Sequence, residues 1–164
     1  MQASAEERAA AIELILAECE RQGITLKTQQ AYVLATVEHE TAGTWQPVKE
    51  AFWKDESWRQ KNFRYFPFYG RGYVQLTHGY NYRKFSKIVG VNLEAEPNLV
   101  MEPALSAFIL VYGFKHGTFT GKKIEDFIDE KNCDFIRARR CINGNDCARR
   151  IAKLADKHLS DLEG

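Results

Sequence analysis

Apolar residues recur in helical register near the N-terminus. Ile12, Ile15, Leu16 and Cys19 fall at i, i+3, i+4 and i+7, while Glu6, Glu13 and Glu20 stay off that stripe. Ser4-Ala5-Glu6-Glu7 in front of it reads as a capping box, and Gly23 behind it as a stop. A second helix is predicted from near Thr28 to about Thr41. Its middle, Ala31 to Val37, is apolar nearly all round, which marks a central, buried helix. It ends in Glu38-His39-Glu40, and charges closing an apolar helix need a reason. From Trp45 to Phe85 the pattern breaks: this stretch holds thirteen of the chain's twenty aromatic residues, punctuated by Pro67, Gly70, Gly72 and Gly79. Irregular structure is predicted there, with a short hairpin around Tyr69 to Leu76. Helical spacing resumes from about Asn81 to Gly90. Glu102-Pro103 opens a further helix with Leu105, Phe108, Ile109 and Tyr112 as its stripe, stopped by Gly113 and Gly117. A short helix follows around Ile124, Phe127 and Ile128. The last begins near Asn145-Asp146 and carries Ala148, Ile151, Ala152, Ala155, Leu159 and Leu162 on one side. With no repeat, low-complexity tract or long linker, the expectation is one mainly α domain over residues 1–164 with a small β hairpin region.

Composition narrows the function classes. A chain of 164 residues can bury about 70% of its unfolded surface, enough for a real core. Lys+Arg 23 against Asp+Glu 22 leaves a formal charge of +1, so binding of nucleic acid driven by bulk charge is not expected. No run approaches the length of a membrane-spanning helix. The first eight residues lack the basic-then-apolar pattern of a secretory signal, so cytosolic synthesis is expected. Cys19, Cys133, Cys141 and Cys147 then start as thiols. Their spacing lacks paired knuckles or close histidines, so no zinc site is expected, although Cys141 and Cys147 flank an Asn-Gly turn and pairing stays open.

Three constellations carry candidate chemistry. Glu40 and Glu50 are the first: glycosidic hydrolysis uses one protonated carboxyl and one ionised carboxylate, roughly 6.5–9.5 Å apart when the second activates water. Glu40 stands at a predicted helix C-terminus, where carbonyl dipoles disfavour negative charge, and an apolar surround of Val33, Val37 and Trp45 would favour the acid form. Glu38 is an equal candidate by position, but two residues apart on a helix they face different ways. The second is Tyr69-Gly70-Arg71-Gly72-Tyr73-Val74-Gln75-Leu76-Thr77. As an alternating strand it would put Tyr73, Gln75 and Thr77 on one face, a ring, an amide and a hydroxyl of the kind that bind sugars. An aromatic mini-core is the other reading. The third is the stretch from Arg137 to Lys157, with seven basic residues against two acids. It reads as a solvated face or as a contact for an anionic surface, through Arg149, Arg150 and Lys153.

His39-Glu40-Thr41 after an apolar helix, the Tyr69–Thr77 segment, Tyr80-Asn81-Tyr82 and Ile142-Asn143-Gly144 occur in the order found in family 19 glycoside hydrolases. The chain resembles that family from roughly Ala31 to Asn145. The resemblance implies a helical, lysozyme-like (α+β) fold with a small β region lining a substrate cleft, an inverting mechanism and no cofactor or metal. It implies Glu40 as general acid, Glu50 as general base with Glu56 as the fallback, and Thr77 as a holder of the attacking water. Tyr73, Gln75, Asn81 and Asn143 would contact the sugar chain. Because the family includes chitinases and bacteriophage endolysins, the expected function is hydrolysis of β-1,4 bonds in peptidoglycan glycan strands by an endolysin of muramidase type. It would be a monomer made in the host cytoplasm and acting on the wall in the periplasm after release. The rivals are a chitinase and a glycan-binding module without catalysis.

Overall fold

In the computed structural model, which describes residues 2–164, the chain forms six α-helices and one two-stranded sheet. The described residues divide into two compact units, one of residues 2–45 with 107–164 and one of residues 46–106.

The first unit holds α1 (Ala5–Gln22), α2 (Lys27–Glu40), most of α5 (Pro103–His116) and α6 (Ala148–Glu163). The capping box at the start of α1 is present: Glu7 N–H donates to Ser4 Oγ at 3.1 Å, and Ser4 N–H to Glu7 Oε2 at 2.8 Å. Gly23 closes α1 in the left-handed conformation. α2 is buried from Gln29 to Val37, as an all-round apolar helix must be, and packs against both α1 and α6. α5 starts at the expected Pro103, but its buried face is rotated from the expected one. Of the expected stripe only Ile109 is buried, together with Ala107, Leu110, Val111 and Phe114, while Leu105, Phe108 and Tyr112 are half-exposed. Both sets repeat at i, i+3, i+4 or nearly so, and on a helix this apolar the pattern alone does not choose between them. The last helix buries the expected Ala148, Ile151, Ala152 and Ala155, and in addition His158. Single 3₁₀ turns occupy Ile124–Asp126 and Arg137–Cys141.

The second unit is irregular, as its aromatic content suggested, and contains β1 (Val48–Lys49), α3 (Glu56–Asn62), β2 (Arg71–Gly72), α4 (Gly79–Val89) and a 3₁₀ turn at Pro97–Met101. α3 is a helix the hydrophobic pattern hides; its signal is Asp55, whose Oδ1 accepts from Trp58 N–H at 2.8 Å. The hairpin around Tyr69–Leu76 is real but tighter than expected. Arg71 and Leu76 exchange backbone hydrogen bonds of 3.1 and 2.9 Å, and β2 also pairs antiparallel with β1, Val48 against Gly72 and Lys49 against Arg71. Gly72 has φ +91°, and a Cβ there would stand 2.6 Å from Ser106 Oγ, the atom that accepts Tyr73 N–H. Glycine is therefore required at that position by conformation and by space.

Candidate active site

In the first unit, the His39-Glu40-Thr41 motif ends α2. Thr41 turns the chain: its Oγ1 donates to Val37 O at 2.7 Å and accepts Trp45 N–H at 3.1 Å. Glu40, the last residue of α2, holds the buried Arg139, whose Nη1 donates to Glu40 Oε1 at 3.0 Å. Arg139 is fixed from the other side by Asp146, through Nε to the backbone oxygen at 2.8 Å and Nη2 to Oδ2 at 3.9 Å. The apolar surround expected for Glu40 is therefore corrected: a guanidinium stands against its carboxylate. Arg139 also leaves the solvated basic face to which the sequence assigned it, because its side chain is only 3% exposed. Asn143, four residues on, is bonded through its N–H to Arg139 O at 2.9 Å, and its exposed Oδ1 accepts Gly144 N–H.

Glu38, the alternative acid, is committed elsewhere. Its Oε1 lies 2.7 Å from Nε2 of His158, which is 2% exposed and stands edge-on to the buried Trp45 ring, with the Arg8 guanidinium over that ring. Burial, against the opposing pull of Glu38, holds the His158 pKa below its ordinary 6.5, and Arg8 pushes the same way. The unfolded chain then takes up a proton as pH falls through 6.5 while the folded chain does not. Stability conferred by the neutral ring is complete above that pH and is lost as pH falls toward the folded-state pKa. Unfolding free energy should fall between pH 7 and 5, by at most about 1.4 kcal/mol per pH unit for this one proton, and the melting temperature should fall with it. His158→Gln should flatten that slope in a thermal-unfolding series, and an unchanged slope would assign it to other groups.

In the second unit, Glu50 continues β1 and is locked onto Gly70. Glu50 N–H donates to Gly70 O at 2.7 Å, and Gly70 N–H donates back to Glu50 Oε1 at 2.9 Å. The other carboxylate oxygen accepts Tyr65 Oη at 2.7 Å. Burial, followed by Glu50 itself, pushes the Tyr65 phenol up to about 12, so it remains a donor at any working pH. The buried Arg59 pins the backbone behind, from Nε to Glu50 O at 2.8 Å. Glu56 begins α3, where its charge suits the helix dipole, and engages Arg59, Lys49 and Tyr69 Oη.

The side chains expected to form a sugar-binding face do not line up as a strand. Gln75 has φ +60°, which breaks the alternation. Its Nε2 turns inward to Val48 O at 2.9 Å and Gly72 O at 3.1 Å, clasping the two strands. Tyr73 is 1% exposed, so its ring belongs to the core and is removed from any surface a glycan would touch. Thr77 Oγ1 donates to Gln75 O at 2.8 Å, and Asn81 Nδ2 to Thr77 O at 2.9 Å. A Cβ on Gly70 would meet Gln75 Oε1 at 2.7 Å and Thr77 Oγ1 at 3.2 Å, so the motif's first glycine lets these two side chains close over the backbone that holds Glu50. The unit thus bonds Glu50 to Tyr65 and Gly70, and links Gln75, Thr77 and Asn81 in a second series that closes over Gly70. Tyr65 carried no signal beyond its place among many aromatics.

All four cysteines are free. Burial raises the Cys19 and Cys141 thiols to about 12, which excludes them as nucleophiles near neutral pH.

The mainly helical fold with its small two-stranded sheet is of the lysozyme-like class. The model of glycoside hydrolase family 19, chitinase class I, matches residues 21–118, more than half of the chain, and the chain belongs to that family. Among curated relatives, a basic endochitinase of Vitis vinifera is 28% identical over 113 residues, 55% of this chain and 34% of that protein. Chitinase 11 of Oryza sativa subsp. japonica is 45% identical over 42 residues, 26% of this chain and 16% of that protein. The chain thus spans about a third or less of the curated relatives it matches. Chitinase C from Streptomyces griseus HUT6037 shares the fold, with a TM-score of 0.69 at 22% identity over 98% of this chain and 71% of that one. A mutant of chitinase C matches equally, at 0.68 and 22% over 97% and 72%.

Proposed function

We propose that the chain hydrolyses β-1,4 bonds of a polymer of N-acetylated hexosamines by inverting acid–base catalysis, and that its substrate is the glycan of bacterial peptidoglycan. Glu40 is the general acid, in the role that family membership suggests. With Oε1 engaged by Arg139, the proton it gives is carried on Oε2. Glu50 is the general base and draws a proton from water, with Thr77 steadying that water. The observation that carries the reading is the Glu50 carboxylate, which accepts from Tyr65 Oη and from Gly70 N–H inside the family's most distinctive motif. Asn81 and Asn143 offer amides to the sugar chain.

The choice of peptidoglycan is favoured by α6, where Arg149, Arg150 and Lys153 are all exposed. Peptidoglycan carries carboxylates and chitin carries no charge. The working form would be a monomer that reaches the wall in the periplasm, as endolysins do. Replacing Arg149, Arg150 and Lys153 with Gln should slow lysis of whole cells severalfold at low salt, with the difference vanishing as salt screens the surface. Equal lysis at low salt would remove the role of that face.

The chitinase reading is favoured by both curated relatives, which are named for chitin. Mass spectrometry of soluble products from purified cell walls, with chitin digested in parallel, decides between them. New reducing muramic-acid ends support a muramidase, and reducing glucosamine ends a glucosaminidase. Oligomers from chitin alone support the chitinase, and freed peptides defeat all three.

A further inference from the structure

We infer that the turn of residues 51–54 is a stacking platform for an acetamido-pyranose unit of the glycan, with Trp53 and Phe52 as its two walls. This deepens the glycan-hydrolase reading and rests on it. Trp53 is 71% exposed and Phe52 41%, among the most exposed large apolar side chains of the second unit. Exposed rings on a loose loop would need no explanation, but this turn is not loose. Lys54 N–H closes it on Ala51 O at 2.9 Å, and Ala51 is held at φ +51°, a conformation that non-glycine residues rarely adopt. Arg59, 5% exposed, grips its base with Nε on Glu50 O at 2.8 Å and Nη2 on Ala51 O at 3.1 Å. The same guanidinium therefore fixes the backbone of the proposed base and the backbone of the aromatic tip.

The two rings stand edge to face, with centroids 5.3 Å apart and planes at 81°, so they form an open corner. A β-linked pyranose presents an apolar face of C–H groups to one wall, and its acetamido methyl to the other. Two rings are far too little surface for a stable protein partner, and membrane insertion calls for a longer apolar face. A single sugar ring fits the size of the patch. Its place in the chain, two and three residues from Glu50, sets it to hold the glycan while Glu50 acts.

Binding is measured by calorimetry in the full chain carrying Glu50→Gln, so that the ligand persists. The probes are a hexamer of β-1,4-linked N-acetylglucosamine and peptide-free strands of alternating N-acetylglucosamine and N-acetylmuramic acid, which separate the two glycan sources. Trp53→Ala is expected to weaken binding of at least one of them about tenfold, and Trp53→Tyr to restore most of it. Phe52→Ala should weaken it less, and the melting temperature of all three should match the parent because both rings are exposed. Unchanged affinity for both glycans in Trp53→Ala overturns the inference, as does a parent that binds neither. Trp53-dependent binding to anionic phospholipid vesicles with glycan affinity intact overturns it in favour of a membrane. Release of reducing ends by the unmodified chain is scored separately. Trp53-dependent binding without any cleavage would defeat the hydrolase reading and leave the platform standing.

Discussion

Glu40→Gln is expected to reduce release of reducing ends from cell walls by about 10²–10⁴-fold, the range for losing a general acid. The amide is nearly isosteric, and its oxygen still accepts the Arg139 Nη1–H that the carboxylate accepts at 3.0 Å. The fold should therefore survive with a stability loss of about 1–2 kcal/mol, the difference between a charged and a neutral acceptor for a buried guanidinium. Glu38→Gln is the matched control. It lies two residues earlier on the same helix, but its carboxylate is taken by His158 at 2.7 Å, so hydrolysis should stay within a few-fold of wild type. Initial rates and melting curves on the two variants test the assignment. Near-normal rates in Glu40→Gln with a collapse in Glu38→Gln would reverse the two roles. If neither the wild type nor Glu40→Gln released reducing ends while both still bound the glycan, the chain would be a glycan-binding module without catalysis.

That pair shows where sequence is informative and where it stops. Helix α1 is legible because both its ends are written locally, in Ser4, Glu7 and Gly23, whose bonds span no more than four residues. The face of α5 is not legible: an apolar helix carries two equally regular stripes, and only the neighbours it packs against select Ala107, Leu110, Val111 and Phe114. α3 is hidden for a related reason, since its aromatic neighbours mask the period and only the Asp55 cap remains. At the site, the Gly-Arg-Gly motif announces a tight bend, but the amides expected to face a sugar are partly spent on holding that bend. Gln75 clasps β1 and β2, and Asn81 bonds Thr77 O. Arg139 is the clearest loss. In sequence it is one cation in a basic run, and the partner that draws it inward lies 99 residues earlier. A long-range pair leaves no periodic trace, so its charge reads as solvated until the fold closes.

The arginine of the Gly-Arg-Gly motif should prove irreplaceable even by lysine. Arg71 is 3% exposed, and its guanidinium reaches three ways at once: Nε to Asn98 Oδ1 at 3.0 Å, and Nη1 to Pro67 O at 2.8 Å and Tyr82 Oη at 2.9 Å. Its plane also lies 3.8 Å over the Tyr69 ring. Lysine carries one compact, strongly hydrated ammonium, which cannot spread over these acceptors or stack as a plane. Arg71→Lys therefore leaves at least one of these acceptors without its partner and brings a charge with a higher desolvation cost into the second unit. The expected loss is about 2–4 kcal/mol, a fall in melting temperature of roughly 10 °C for a chain of this size. Hydrolysis should fall as well, because Gly70, which binds the Glu50 carboxylate, is the residue next to Arg71. Arg83→Lys supplies the contrast. Arg83 also makes two side-chain hydrogen bonds, to Glu94 at 3.2 and 3.1 Å, but in solvent, where lysine serves as well. If the two substitutions shift the melting curve equally little, the loop is held by its Arg71–Leu76 backbone pairing, and the buried guanidinium contributes only what an exposed one does.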